Sequence, residues 1–270
     1  MTVNKEINTI LMRKNILDLI VSDSVKLNER YTLLKLTHDS PLPRMYPGQF
    51  VEVKVDDSPR TMLRRPISVN YVDYESNELW LLVAAVGDGT RHITSLHVGD
   101  ILNCVLPLGN GFRKDFSTGE RILLVGGGVG VAPLLYYGKC IKDQGATPVF
   151  LLGARSSRDL LETDCFRRFG DVHITTEDGS AGEKGFVTNH SCLSEGNYDF
   201  IATCGPKPMM KAVAKFAASV NLECEVSLEN MMACGVGACL CCVEKTTSGN
   251  LCVCKDGPVF KTSDLLWDLC

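Results

Sequence analysis

Six of the 13 cysteines lie close together near the C-terminal end of the sequence: Cys234, Cys239, Cys241, Cys242, Cys252 and Cys254. Cys234, Cys239 and Cys242 have the spacing C-x4-C-x2-C, which together with a more distant cysteine is typical of plant-type [2Fe-2S] sites. Gly235 and Gly237 allow the loop to wrap closely and to turn backbone N–H groups toward the sulfurs. We predict these three cysteines as cluster ligands, with Cys254 favoured over Cys252 as the fourth and Cys241 as a surplus thiol.

Zinc is the alternative occupant of these thiols, but structural zinc sites usually pair two short cysteine motifs. The other seven cysteines are scattered through apolar or mixed segments, where a free thiol usually behaves as a small buried hydrophobe. This distribution differs from the disulfide framework of a small secreted domain. It predicts thiols that bind a metal in a reducing, cytoplasmic compartment.

A glycine-rich turn, Gly126-Gly127-Gly128-Val129-Gly130, joins a predicted strand to a predicted helix that begins near Pro133. Such a turn presents backbone N–H groups and a helix dipole to a pyrophosphate. Its spacing departs from G-x-G-x-x-G because Val131 takes the third glycine position, and a packing turn without a ligand is the alternative. A second turn, Cys204-Gly205-Pro206, follows a later strand. We predict both turns at the carboxyl edge of one sheet.

The segment Arg64-Arg65-Pro66-Ile67-Ser68 lies in the first half of the chain. Paired arginine donors suit a diphosphate, and a serine hydroxyl suits flavin or phosphate atoms. A solvated strand edge is the alternative for these arginines. The five histidines show no ligand spacing, and we interpret them as surface or satisfied core residues. No combination of Ser, His and Asp indicates hydrolysis.

The pattern of the chain changes character along its length. Alternation over Phe50–Val55 and an apolar run over Leu79–Ala85, with turn signals such as Gly87-Asp88-Gly89, predict a small antiparallel barrel. From about Arg121, predicted strands alternate with helices, which favours an open parallel sheet. The predicted fold is multidomain β plus α/β. Its parts are an extension over 1–15, an antiparallel β-barrel over 16–114, an α/β domain over 115–222, and a small C-terminal domain over 223–270 that folds around its metal.

Composition excludes several classes of protein. The formal net charge is −4 without a long basic run, which disfavours nucleic acid as a partner. No run of about 18 apolar residues is present to span a bilayer, and the first residues lack the features of a secretory signal. We expect a cytoplasmic protein with no membrane or nucleic-acid partner.

In their order along the chain, these segments resemble the ferredoxin-reductase-like flavoproteins, and among them the electron-transfer subunits of class 1B dihydroorotate dehydrogenase. The resemblance runs from about Val25 to Phe260. It rests on PGQFVEV at 47–53, RRPISV at 64–69, GDGT at 87–90, PLGNGF at 107–112, LLVGGGVGVAPL at 123–134, CGPKPMM at 204–210, SLENMMACGVGACLCCV at 227–243 and VCKDGPVF at 253–260. The cysteine-rich tail is the discriminating feature, because ordinary ferredoxin reductases lack it and oxygenase reductases carry a full ferredoxin domain.

The resemblance implies roles for individual residues. It implies FAD binding by Arg65, Pro66, Ile67 and Ser68 and by Leu82, Val83 and Ala84, with Gly89 and Thr90 at the phosphates. It implies a nicotinamide cofactor at Gly127, Gly128, Gly130, Cys204 and Gly205, and cluster ligation by Cys234, Cys239, Cys242 and Cys254. Cys241 stands where the family more often has glycine. NADH is expected rather than NADPH, although Arg155, Ser156 and Arg158 could contact a 2′-phosphate.

The resemblance further implies an NADH-linked oxidoreductase subunit with no catalytic acid or base of its own. A nicotinamide exchanges two electrons at once and the cluster moves one, so FAD, which does both, would lie between them. In the family, a partner subunit carries FMN and oxidises dihydroorotate to orotate in pyrimidine biosynthesis. NAD+ is the final acceptor, and two copies of each subunit form a heterotetramer.

Two other interpretations stay open. One is the diaphorase subunit of a related complex, such as NADH-dependent ferredoxin:NADP oxidoreductase or sulfide dehydrogenase, which would purify with a different partner. The other, of a different class, is a zinc-binding scaffold without redox chemistry, which would be colourless when purified.

Overall fold

A computed structural model of the protein describes residues 14–56 and 61–267, so nearly all of the predicted extension over 1–15 lies outside the described residues. The first half of the chain forms a seven-stranded sheet in the order β4-β3-β7-β1-β2-β6-β5, with every neighbouring pair antiparallel. Its strands are β1 (Asn15–Lys26), β2 (Tyr31–Thr37), β3 (Phe50–Val53), β4 (Arg65–Ser68), β5 (Tyr71–Asp73), β6 (Glu78–Ala84) and β7 (Ile101–Leu108).

This sheet curls into a half-barrel, which confirms the predicted antiparallel β region. Successive side chains of β6 point to opposite faces, as in any strand. Leu81 and Val83 are buried inside the half-barrel, whereas Leu82 and Ala84 pack outward against the second half of the chain. The face that receives a ligand is therefore set by the two-residue period of this strand.

The predicted turn at Gly87-Asp88-Gly89 is wrong, because Asp88 begins a short helix, α1 (Asp88–Ile93). The hydroxyl of Thr90 accepts the backbone N–H groups of Val86 and Gly87 at 2.9 and 3.0 Å. Backbone N–H groups at the start of a helix have no acceptor within the helix, and the Thr90 hydroxyl provides one here. Thr90 and Gly89 are thereby held at the end of β6.

The second half of the chain forms another seven-stranded sheet, in the order β11-β10-β9-β8-β12-β13-β16. Its strands are β8 (Arg121–Gly127), β9 (Thr147–Ala154), β10 (Asp171–Thr176), β11 (Glu183–Lys184), β12 (Phe200–Cys204), β13 (Cys224–Ser227) and β16 (Val259–Lys261). All neighbours are parallel except β13 and β16, which are antiparallel. The predicted α/β arrangement is confirmed.

Five helices accompany this half in the described residues: α2 (Ala132–Asp143), α3 (Thr163–Arg167), α4 (Cys192–Glu195), α5 (Lys207–Ser219) and α6 (Val253–Asp256). The connections β8-α2 and β12-α5 follow the predicted strand–turn–helix pattern. In the described part of the chain, no helix has the length and apolar character needed to cross a bilayer.

The C-terminal segment, which the sequence predicts as a small domain, is joined to the α/β sheet through β13 and β16. Between these strands lie the cysteine loop and a hairpin of β14 (Val243–Thr246) and β15 (Gly249–Cys252). Val226 and Phe260 bury this segment against Phe50 and Leu108 of the half-barrel and Met210 of α5. Each such buried apolar side chain contributes about 1.5–3 kcal/mol. The cysteine loop is thus fixed at the junction of both sheets.

A continuous apolar core also joins the half-barrel to the α/β unit. Phe112 stacks on Tyr137 of α2 with ring centroids 4.6 Å apart, and Leu82 belongs to the same buried cluster as Val131 and Leu134. The two sheets are therefore held together by packing. Cavities at their junction have walls from both.

Candidate cofactor sites

A cavity of about 570 Å³ lies at the carboxyl edge of the parallel sheet. Gly127, Gly128, Gly130 and Gly205 line it, so the structure brings together the two turns that the sequence predicted at one edge. A Cβ at Gly130 would lie 2.5 Å from the carbonyl oxygen of Cys204. Only glycine allows the turn after β8 to approach the turn after β12 this closely. The backbone of both turns lines the cavity and suits a pyrophosphate.

Cys204, the other residue predicted at this site, is fully buried at the end of β12. Its thiol donates to Oε1 of Glu229 over 3.9 Å, a weak bond to sulfur. The Glu229 side chain lines the cavity, and burial raises the pKa of its carboxyl above the usual range. Cys204 therefore does not line the cavity itself but contacts Glu229, which does. The sequence motifs do not single out Glu229.

The far rim of this cavity carries both charge signs. Arg30, Arg155, Asp159 and Glu177 line it. Of the residues considered for a 2′-phosphate, Arg155 alone belongs to this lining. Ser156 instead donates to the carboxylate of Asp159 at 3.1 Å.

A second cavity, of about 210 Å³, opens between the half-barrel and the cysteine-rich segment. Pro66, Ile67 and Ser68 line it from β4, Leu82 and Ala84 from β6, and Thr90 from α1. Apolar side chains form its sides and a few hydroxyl and amide groups its edge. This donor set fits a flat aromatic ring system with a polar edge, as in the isoalloxazine of FAD.

Four residues that lie near this cavity do not line it. Val83 points into the half-barrel core and does not line the cavity. Arg64 donates to the backbone oxygens of Glu52 and Asn103 and so holds β3 and β7 together. Arg65 lies against Gly89, where a Cβ would meet its Nε at 2.8 Å. The Arg65–Gly89 contact leaves the guanidinium beside the start of α1, close to Thr90.

The two cavities share part of their walls. Val129, from the glycine-rich turn, and Glu229, which follows β13, line both. A ring bound in one cavity would therefore lie beside a ring bound in the other. The second cavity also contacts Met232, two residues before Cys234. The two cavities and the start of the cysteine loop are therefore adjacent.

Backbone N–H groups surround the predicted cluster ligands. Cys234 Sγ accepts the N–H groups of Val236 and Ala238 at 3.5 and 3.3 Å. Although burial opposes them, such backbone donors lower the pKa of Cys234 to about 6. Gly235 and Gly237 have φ of +66° and +82°, so glycine provides the left-handed backbone that turns these donors inward. The loop fits an anionic sulfur cluster.

Two further contacts distinguish the candidate fourth ligands. The N–H of Gly237 donates to Sγ of Cys254 at 3.1 Å, and the N–H of Cys254 donates to Sγ of Cys242 at 3.3 Å. Among the described residues, the hydrogen bond from the Cys252 thiol to the loop is a long one, 4.0 Å to the carbonyl oxygen of Gly237. Cys241 is exposed. Cys254 is thus linked by backbone hydrogen bonds to Cys242 and to the loop, whose N–H groups also donate to Cys234.

Glu52 of β3 lies directly beneath the cysteine loop, a contact that no sequence motif indicates. Its carboxyl oxygens are buried and have no hydrogen-bond partner among the described residues. A Cβ at Gly235 would lie 2.6 Å from its Cγ. Burial raises the pKa of Glu52 to about 7, and the guanidinium of Arg64 only partly offsets this. A carboxyl that keeps its proton limits the negative charge next to the thiolates.

The half-barrel, the parallel sheet and the two adjoining cavities define a ferredoxin-reductase-like oxidoreductase that uses a flavin and a nicotinamide nucleotide. Residues 124–215 match the oxidoreductase NAD-binding domain, and residues 229–266 match the iron-sulfur cluster binding domain of dihydroorotate dehydrogenase B. The predicted set of FAD, a [2Fe-2S] cluster and NAD(H) agrees with these matches.

Relatives with known names place the chain more narrowly. The dihydroorotate dehydrogenase B (NAD(+)) electron transfer subunit of Caldanaerobacter subterraneus subsp. tengcongensis is 42% identical over 226 residues, which cover 82% of this chain and 87% of that protein. The subunit of the same name from Fusobacterium nucleatum is 36% identical and covers 92% and 97% of the two chains. The chain belongs to the family of dihydroorotate dehydrogenase B (NAD(+)) electron transfer subunits. The family predicted from the sequence is confirmed.

Solved structures agree with this fold. A structure of NADH-dependent reduced ferredoxin-NADP oxidoreductase, a flavin-based electron-bifurcating enzyme, superposes with a TM-score of 0.82 at 31% identity, covering 94% of this chain and 91% of that chain. The ferredoxin reductase of carbazole 1,9a-dioxygenase has a TM-score of 0.65 at 20% identity, covering 78% and 67%. The second match shows the fold alone.

Proposed function

We propose that this chain carries electrons between the FMN of a dihydroorotate dehydrogenase catalytic subunit and NAD+, in a cytoplasmic assembly of two copies of each subunit. The observation that carries the proposal is the shared wall of the two cavities at Val129 and Glu229, next to the cysteine loop. When bound, FAD supplies the exchange between two-electron and one-electron chemistry. The partner, its FMN and the stoichiometry come from the family to which the chain belongs.

The chain's own residues would position the cofactors rather than react with them. Gly127, Gly128 and Gly205 hold the nicotinamide nucleotide at the carboxyl edge of the sheet. Pro66 to Ser68, with Arg65 and Gly89 beside Thr90, hold the flavin. Cys234, Cys239, Cys242 and Cys254 hold the cluster. Leu82 and Ala84 exclude water from the flavin face through their side chains, and Val83 contributes only backbone there.

Exposed apolar side chains beside the cysteine loop support the proposal that electrons pass to the partner subunit at this surface. Met231 is 83% exposed and Leu240 65%, and Cys239 and Cys241, the two neighbours of Leu240 in the loop, are also exposed. Apolar groups clustered on an otherwise polar surface are typical of interaction sites. The cluster would thus lie at the interface with the catalytic subunit.

The test is anaerobic co-expression with an FMN-containing dihydroorotate dehydrogenase, followed by iron, sulfide and flavin analysis and a dihydroorotate–NAD+ assay. We expect Leu240→Asp to abolish complex formation and dihydroorotate-dependent NAD+ reduction, while NADH oxidation by ferricyanide and the iron content are retained. Val98→Asp is the matched control, since Val98 is 66% exposed on the half-barrel. A stable, active complex with Leu240→Asp and with Met231→Glu would contradict this docking surface.

The second candidate is the diaphorase subunit of an electron-bifurcating complex, which the TM-score of 0.82 favours. This candidate predicts co-purification with a larger subunit containing flavin and iron–sulfur clusters, and NADP-linked activity without turnover of dihydroorotate. The same co-purification experiment decides between the two.

A further inference from the structure

Outside the cysteine loop, the fold brings two histidines and a cysteine together. His173 lies on β10, His190 follows a short 3-10 turn, and Cys192 begins α4. Their ligand atoms all lie within 4.8 Å of one another. His190 and Cys192 are buried and His173 is half-buried. We propose that these three residues form a structural zinc site.

The donor set is the one zinc prefers. Two imidazole nitrogens and a thiolate match the His and Cys ligands of tetrahedral zinc, for which neighbouring ligand atoms lie about 3.4–3.8 Å apart. Side-chain rotations that draw the three atoms in by about 1 Å would complete this geometry. The two imidazole rings already face each other edge to face, with centroids 5.3 Å apart.

A fourth ligand is available on the open side of the site. Oε1 of Glu183 lies 3.6 Å from Nε2 of His190 and also accepts the hydroxyl of Ser191, while Oε2 accepts the backbone N–H of Ser191 at 2.9 Å. This carboxylate, or a water molecule beside it, would close the tetrahedron. The N–H of Cys192 donates to Nδ1 of His190 at 3.1 Å. Coordination through Nε2 places the imidazole proton on Nδ1, where it would face the N–H of Cys192. This hydrogen bond would then be lost, and a rotation of the His190 ring away from that N–H is part of the proposal.

The position of the site suggests what the metal does. The segment from Glu183 to Cys192 includes Phe186, Val187 and Thr188, which line the larger cavity. It is fastened to β10 by the hydroxyl of Thr175, which lies 2.9 Å from the carbonyl oxygens of Glu183 and Gly185. A metal between His173 and His190 would add a second fastening two residues along β10. The zinc would therefore hold one wall of the nicotinamide-nucleotide cavity in place.

Zinc content separates this site from the cysteine loop. We expect cluster-loaded protein, incubated with zinc chloride and desalted, to hold one zinc per chain in addition to its iron. X-ray absorption at the zinc edge should show two nitrogen ligands and one sulfur. The His173→Gln and Cys192→Ser variants should lose zinc, with affinity falling by more than the 10–100-fold typical of changes outside the ligand shell. His92→Gln and Cys140→Ser are the matched controls and should keep it.

Thermal unfolding adds a second readout, because a ligand that binds only the folded state raises its stability. Zinc should raise the melting temperature of the wild type and of both controls, but not that of His173→Gln. The flavin spectrum and iron content show whether each variant is folded, and the half-buried His173 tolerates glutamine even where Cys192→Ser does not fold. Wild-type protein without zinc, zinc retained in His173→Gln, or a zinc edge with four sulfur ligands would each overturn the proposal.

Discussion

The backbone N–H of Gly237 donates to Sγ of Cys254 at 3.1 Å, and this bond fastens the tip of the cysteine loop to α6. Because the N–H of Cys254 in turn donates to Cys242, Cys254 is the better placed of the two candidate fourth ligands. We predict that Cys254→Ser removes most of the acid-labile sulfide and iron and leaves the flavin bound. Iron and sulfide analysis of anaerobically purified protein measures this.

Cys241→Ser and Cys252→Ser are the controls for this substitution. Cys241 is exposed and makes none of these bonds, so its variant should keep a full cluster. Should Cys252→Ser lose the cluster while Cys254→Ser keeps it, the assignment of the fourth ligand is reversed.

Gly130 is required for the contact between the two turns of the nicotinamide-nucleotide cavity. A Cβ there would lie 2.5 Å from both the carbonyl oxygen of Cys204 and Cα of Gly205. These are backbone atoms that cannot rotate away. We predict that Gly130→Ala destabilises the protein by about 1–3 kcal/mol and raises the KM for NADH at least about 10-fold through displacement of the turns.

Gly87→Ala is the control, because no atom lies within 4 Å of a Cβ at Gly87. Its unfolding midpoint in urea and its KM for NADH should stay near those of the wild type. Equal effects of the two substitutions would show that the close approach of the turns has no special role.

Features that depend on local residue spacing can be predicted from this sequence. Features that depend on which distant segments pack together are much harder to predict. The Cys234–Cys242 spacing and the turn at Gly126–Gly130 are each encoded within about ten residues, so their function could be inferred before the fold was known. The pairing of β13 with β16 joins residues more than thirty positions apart, and nothing in either strand identifies its partner. The same is true of Glu52, which reaches the cysteine loop only because β3 passes beneath it.

His173 and His190 show most clearly that local spacing does not reveal contacts between distant segments. His173 and His190 have no ligand spacing in the sequence, a pattern that indicates surface or core residues. The crossover from β10 to α4 brings them beside Cys192. The His190-x-Cys192 pair was the one local signal, and it is too short to distinguish a site from chance.

Glu229 lines both cavities, and burial raises the pKa of its carboxyl. A carboxylate here would stabilise the positive charge that appears on the nicotinamide ring when it is oxidised. We predict that Glu229→Gln lowers kcat for NADH oxidation by ferricyanide about 10-fold. The wild-type rate should rise with pH as the carboxyl loses its raised-pKa proton, and the variant should lack this rise.

Glu177→Gln provides the comparison, because Glu177 lines the same cavity at its exposed rim. It should alter KM and leave kcat and the pH profile unchanged. An unchanged pH profile in Glu229→Gln would assign the titration to another group.

Buried Asn70, directly before β5, pairs with half-buried Glu162, directly before α3. Nδ2 of Asn70 donates to Oε2 of Glu162 at 2.9 Å, whereas Oε1 of Glu162 and Oδ1 of Asn70 have no partner among the described residues. Both unpartnered atoms are acceptor oxygens, so the pair lacks a donor. A protonated Glu162 carboxyl supplies one through its O–H group. Burial raises the pKa of Glu162 from 4.5 to about 7, and the bond from Asn70 only partly offsets this.

This shift predicts how stability depends on pH. Between about pH 4.5 and 7 the folded chain retains a proton on Glu162 that the unfolded chain has released. The free energy of unfolding should therefore fall as the pH rises through this window, by on the order of 1–3 kcal/mol from this group. Glu162→Gln mimics the protonated carboxyl and should be the more stable protein at pH 8, with a shallower dependence on pH. Urea unfolding at pH 5 and pH 8 measures the difference.

Some dependence should persist in the Glu162→Gln variant, because burial also raises the pKa of Glu52 to about 7. Glu75→Gln, on an exposed turn, should follow the wild type at both pH values. Equal stability changes from pH 5 to pH 8 in Glu162→Gln and the wild type would mean that the carboxyl is ionised in the folded protein. In that case the unpaired Oδ1 of Asn70 must be satisfied by water, and Glu162→Gln would destabilise the protein at pH 8, because the amide replaces one acceptor with a donor.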